Sequence, residues 1–111
     1  MESGLTFEDR QAIQRLMARV RSALGEADAV AIAFGSKARG EATTDSDLDL
    51  LVVLSRDDFR IRRLIFDLAY EVYLETDVMI APLVLSRGAL DALKQSGRRL
   101  GREIERDGVA V

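Results

Sequence analysis

Two aspartates, Asp47 and Asp49, stand two residues apart at the head of the apolar run Leu48–Leu54. In an extended strand that spacing sends both side chains to one face, with Cα atoms roughly 7 Å apart. Carboxylates so placed can converge on one or two divalent cations, and paired catalytic metals sit about 3.5–4 Å apart. Mg²⁺ in particular combines one or two carboxylates with substrate phosphates. An apolar strand has little other use for Asp49, because burying a lone carboxylate is costly. The plain alternative is two solvated acids at a strand end, where most acids lie.

A second feature weighs against that alternative. Gly35-Ser36 follows the apolar run Ala29-Val30-Ala31-Ile32-Ala33-Phe34, and ten residues separate it from Asp47. A glycine there permits a sharp turn and close approach of backbone to a ligand. Successive N–H groups in such a turn make an anion-binding concavity. Arg39 offers a planar cationic fork suited to phosphate oxygens. Gly-Ser alone is an ordinary turn. With Asp-x-Asp at the head of a neighbouring strand, it brings phosphate donors and metal ligands to one sheet edge.

Composition narrows the chemistry further. There is no Cys and no His, so disulfides, thiolate zinc sites, cysteine nucleophiles and imidazole bases are excluded. The net charge of -3 indicates no strong nucleic-acid surface. The first residues lack the pattern of a secretory signal, and no apolar run reaches the ~20 residues that span a bilayer. A cytoplasmic protein is expected, and 111 residues suit one domain, 1–111.

The elements that must position these residues follow from periodicity. Residues 6–25 read as a helix, with Ile13, Leu16, Met17, Val20 and Leu24 on one stripe. Thr6 with Asp9 forms a capping-box pattern, and Gly25 is the stop. Residues 29–34 read as a doubly buried strand, 35–46 as a loop, and a strand starts near Asp47. Residues 55–58 cap a second helix, whose apolar face holds Ile61, Leu64, Ile65, Leu68, Ala69 and Val72. A third strand is expected over 76–85, with Pro82 marking an edge strand or an irregular end. Residues 86–106 are helical in pattern, with Gly97 and Gly101 as weak points that would divide it in two. Residues 109–111 suit a last short strand. The order α-β-β-α-β-α, with a final β, gives an α/β (α+β) fold. Two strands joined by a loop pair antiparallel more easily, so a small mixed sheet of three to four strands is expected, with helices packed on it.

The string Gly35-Ser36, ten residues, Asp47-Leu48-Asp49 resembles the signature of the polymerase-β-like nucleotidyltransferases. Gly-Ser-x-Ala-Arg-Gly with Ser46-Asp47-Leu48-Asp49-Leu50 is similar to the minimal nucleotidyltransferase (MNT) domains. The resemblance implies Mg²⁺ and ATP, with Asp47 and Asp49 as metal ligands and Gly35, Ser36 and Arg39 on the phosphates. Ser46 would orient the loop. The solvated reading is favoured for Lys37, although it is within reach of phosphate, and Tyr73 suits core or interface. The family pattern adds a third acid on a later strand. Glu71, Glu75 and Asp77 are close in sequence, and the start of an apolar run favours Asp77, as second-metal ligand and base. The implied reaction is attack of a hydroxyl on the α-phosphorus, with pyrophosphate leaving.

Similar minimal domains act as antitoxins that adenylylate a tyrosine of a helical HEPN-type ribonuclease toxin, and that is the acceptor the resemblance favours. Homo- or hetero-oligomers are compatible with it. Two other functions stay open: a non-catalytic module that neutralises its partner by contact, and transfer to a small molecule such as an aminoglycoside.

Overall fold

The computed structural model describes residues 4–41 and 46–111; residues 42–45 of the motif loop lie outside them. The first helix, α1 (Phe7–Leu24), begins as the capping pattern predicts. The Thr6 hydroxyl accepts from the Asp9 N–H at 3.0 Å, and Asp9 accepts from the Thr6 N–H at 3.1 Å. Gly25 ends it at φ 64°. Its buried stripe, Ile13, Leu16, Met17 and Val20, contributes roughly 1.5–3 kcal/mol per side chain. A cap is worth ~1 kcal/mol, so packing holds this helix.

The strand β1 (Val30–Phe34) leads directly into α2 (Gly35–Arg39), a single turn of helix where a loop was expected. Gly35 enters it at φ 78° and Gly40 closes it at φ 79°. The buried Ala38 anchors it. Loop-like composition hid this turn because its two glycines lie at its ends.

Next come β2 (Leu48–Leu54) and α3 (Phe59–Thr76), capped by Asp58. The strand β3 (Ile80–Ser86) is followed by α4 (Arg87–Gln95), α5 (Arg99–Asp107) and β4 (Val109–Ala110). The helical stretch 86–106 thus divides around Gly97, which takes φ 71°. One boundary differs from expectation. The third strand starts at Ile80 and not at 76, because α3 runs to Thr76 and ends on Asp77 in the left-handed region, φ 62°. The Thr76 hydroxyl donates to Val72 O at 2.7 Å and accepts from the Val78 N–H at 3.1 Å. Those bonds extend the helix where apolar residues suggest a strand.

The sheet has the order β3-β2-β1-β4. Its β1 pairs antiparallel with β2 and β4, while β2 and β3 are parallel. The sheet is therefore mixed, and Pro82 lies on an edge strand, as its missing donor requires. Alternation along β2 explains its continuous apolar run. Leu48, Leu50, Val52 and Leu54 join the cluster of α1 and α3, and Leu51 and Val53 join the cluster of α4 and α5. Among the described residues no helix is long and apolar enough to cross a membrane.

Candidate active site

Asp49 is the one charged residue within β2. Its register partner on β1 is Phe34, the residue before Gly35. The turn into α2 therefore passes directly over the Asp49 carboxylate. A Cβ built on Gly35 would collide with Asp49 Oδ2. Glycine is thus required twice at position 35, for positive φ and for absence of a side chain.

Asp47 precedes the strand and is exposed, while Asp49 is half-buried. Burial, and then the neighbouring Asp47, push the Asp49 carboxyl above the ordinary aspartate range. Arg39 pulls it back and Glu103 of α5 adds to the rise. The two acids thus repel each other in a partly desolvated place, which a divalent cation would relieve. The donor set fits one: carboxylates two residues apart, with Asp49 drawn close against the backbone of a turn that lacks a Cβ. Among the described residues no group of three or more acids gathers as a metal-holding cluster.

That bears on Asp77, which the sequence puts at the start of the third strand. The structure puts it instead at the C-cap of α3, exposed, three residues before β3 begins. The neighbours of the pair on β3 follow from the register. Ala81 stands across from Asp49 and Ile80 across from Leu48, and the Leu48 N–H donates to Met79 O at 2.9 Å. Gly35 meets Asp49, Asp47 acts on Asp49 through its charge, and among the described residues Asp77 forms no metal-holding group with them.

The cations around the turn are engaged. Lys37 Nζ donates to Asp9 Oδ1 at 3.1 Å, and both side chains are largely buried. Expected as a solvated residue, Lys37 instead ties α2 to the first turn of α1. Arg39 Nη1 donates to Asp107 Oδ2 at 3.0 Å and its Nε to Glu41 Oε2 at 3.1 Å. Arg39 therefore reaches the Asp49 carboxyl through its field while two carboxylates fix its guanidinium. Asp9 was read only as a capping residue and Glu103 and Asp107 were missed in the sequence, since no local spacing links the three to the motif.

Two cavities flank β3. One of about 390 Å³, lined by Leu83, Leu85, Leu93 and Leu100 among others, lies toward the end of the strand and has no carboxylate. The other, about 260 Å³, is lined by Asp47, Phe66, Ala69, Tyr70 and residues 79–82. Tyr73 is half-buried, its ring centroid 6.2 Å from that of Tyr70.

Compared with known families, residues 13–99 match the nucleotidyltransferase domain. The chain belongs to that family. The match spans the Gly35-Ser36 turn, both aspartates and β3, and it supports nucleotidyl transfer as the domain's general activity. No curated protein matches it closely.

Proposed function

We propose that this domain moves AMP from ATP, with Mg²⁺, onto a hydroxyl of a protein acceptor, a tyrosine of a HEPN-type helical ribonuclease toxin, and so acts as its antitoxin. The observation that carries the transfer is the meeting of Gly35 with Asp49 at the start of β2, next to Asp47. In this reading Asp47 and Asp49 hold the cation. Bound there, it would neutralise the triphosphate and lower the acceptor's pKa. Gly35 and Ser36 present backbone N–H groups to the phosphates, since the first turn of a helix leaves such donors without intrahelical partners. Arg39, held by Asp107 and Glu41, adds fixed positive charge beside the acids. Such positioning and charge stabilisation suffice for phosphoryl chemistry without His or Cys. The acceptor and the antitoxin role draw on the likeness of Gly35–Arg39 and Ser46–Leu50 to minimal domains.

A second reading, contact neutralisation without transfer, is favoured by one observation. Position 81, across from Asp49, holds alanine and no acid. Incubation with α-labelled ATP, Mg²⁺ and a HEPN-type helical toxin protein separates the two. Label on a tyrosine of that protein is the expected result. A stable complex that never takes label would replace the transfer reading with the contact reading.

A further inference from the structure

The sheet order gives the site two sides. The turn of α2 enters from β1, so the triphosphate lies on the β1 side of Asp47 and Asp49. In an in-line displacement the attacking oxygen stands opposite the leaving pyrophosphate. The acceptor must then come from the β3 side. The cavity of about 260 Å³ lies there, and Asp47 is part of its wall.

The lining of that cavity alternates along the strand. Ile80 shares the face of Leu48, whereas Ala81 shares the face of Asp49. The cavity therefore wraps the free edge of β3 and joins the acid face to the α3 face. Its wall is Phe66, Ala69, Tyr70, Met79, Ile80, Ala81 and Pro82, with Asp47 as the one charged residue. Phe66 and Tyr70 are 53% and 55% exposed, four residues apart on α3, so their rings stand on one helix face. Such a wall suits a ring and offers a polycation a single counter-charge, Asp47.

The register adds a chemical constraint. Ala81, beside Asp49, brings no carboxylate to take the acceptor's proton. An acceptor that ionises readily suits such a site. A phenol ionises near pH 10, roughly six units below water.

We infer that the groove between α3 and the free edge of β3 is the acceptor subsite, and that Phe66 and Tyr70 select an aromatic hydroxyl there. The inference rests on the nucleotidyl-transfer reading above. The phenol loses its proton to solvent. Its oxygen forms a bond to the α-phosphorus, the bond from that phosphorus to the bridging oxygen breaks, and pyrophosphate leaves with the electron pair.

Methyl NMR on protein labelled at Met and Ala tests this. The nucleotide side is reported by Ala33 and Ala38, and the groove by Met79 and Ala81. With Mg²⁺ and α,β-methylene-ATP present, N-acetyl-tyrosinamide should shift Met79 and Ala81, while N-acetyl-serinamide and kanamycin should not. F66A and Y70A should weaken the tyrosinamide titration at least tenfold and leave the nucleotide shifts at Ala38 unchanged. In turnover with ATP, both should raise the acceptor KM at least tenfold with kcat little changed. Nucleotide shifts at Ala38 with no tyrosinamide shift at Met79 and Ala81, or with kanamycin moving them instead, would overturn the groove assignment and leave transfer standing. No nucleotide shift at Ala38 removes the transfer reading and this inference with it.

Discussion

The Asp49 carboxylate fills the space that a side chain on Gly35 would need. Gly35 also sits at φ 78°, a region that costs an L-residue about 1–2 kcal/mol. Gly35→Ala therefore suffers twice, in backbone strain and in displacement of a proposed metal ligand. Expected is a domain that still folds by circular dichroism but loses transfer at least 100-fold. Gly97→Ala is the control. It shares positive φ (71°), but open space surrounds its Cβ position. It should lose stability by about the backbone cost alone and keep its activity. Equal activity losses in the two variants would show that strain, and not the contact with Asp49, is the cause.

Asp49 should weigh against the stability of the metal-free fold. Its carboxyl titrates above the ordinary range through burial and through Asp47. The folded form thus binds its proton more readily than the unfolded chain. Its contribution is therefore favourable at low pH and is lost as pH rises through the folded value. Asp49→Asn should raise the melting temperature of metal-free protein at pH 7 and abolish transfer. Mg²⁺ should raise the melting temperature of wild type but not of the variant. Thermal denaturation with EDTA or Mg²⁺ checks both. An Asp49→Asn variant less stable than wild type at pH 7 would contradict the repulsion.

How much of this was legible in the sequence follows the range of each interaction. The β1–turn–β2 core could be read because buried runs and Asp-x-Asp spacing are local patterns. The α1 cap could be read for the same reason, since Thr6 and Asp9 are three apart. The start of the third strand was not legible because Val78, Met79 and Ile80 look like one strand, whereas pairing with β2 begins only at Ile80. That boundary is set by a neighbouring strand and by the Thr76 bonds. The Lys37–Asp9 and Arg39–Asp107 pairs join residues 28 and 68 apart. No periodicity reaches that far, so Lys37 looked solvated and Arg39 looked available to phosphate. The α3–β3 groove was hidden likewise, although Tyr70 and Pro82 each stood out alone.

Asp107 should hold the site's flank in a pH-dependent way. Arg106 and then Arg39 hold its carboxyl below the ordinary aspartate range, and its side chain is 5% exposed. A depressed pKa gives stability that is present above the unfolded value, about 3.9, and lost as pH falls through the folded one. Asp107→Asn should therefore unfold at lower urea than wild type at pH 7. The gap should narrow only as pH drops below the ordinary range. A gap unchanged at strongly acid pH would assign the effect to packing at the end of α5.

Asp77 offers the sharpest test of which acids serve the reaction. It caps α3 at φ 62°, where glycine is preferred. Its charge also stands at the helix C-terminus, which disfavours anions by about 0.3–1 kcal/mol. Asp77→Gly removes both penalties. Removal of a catalytic base would instead cost about 10²–10⁴ in rate. The placement of Asp77 outside the Asp47–Asp49 pair predicts near-wild-type transfer and a higher melting temperature. A gain of 1 kcal/mol corresponds to roughly 4–8 °C in a domain near this size. Should the glycine variant fold as well as wild type yet lose transfer by two orders of magnitude, Asp77 would be an essential acid that moves to the pair when substrate binds.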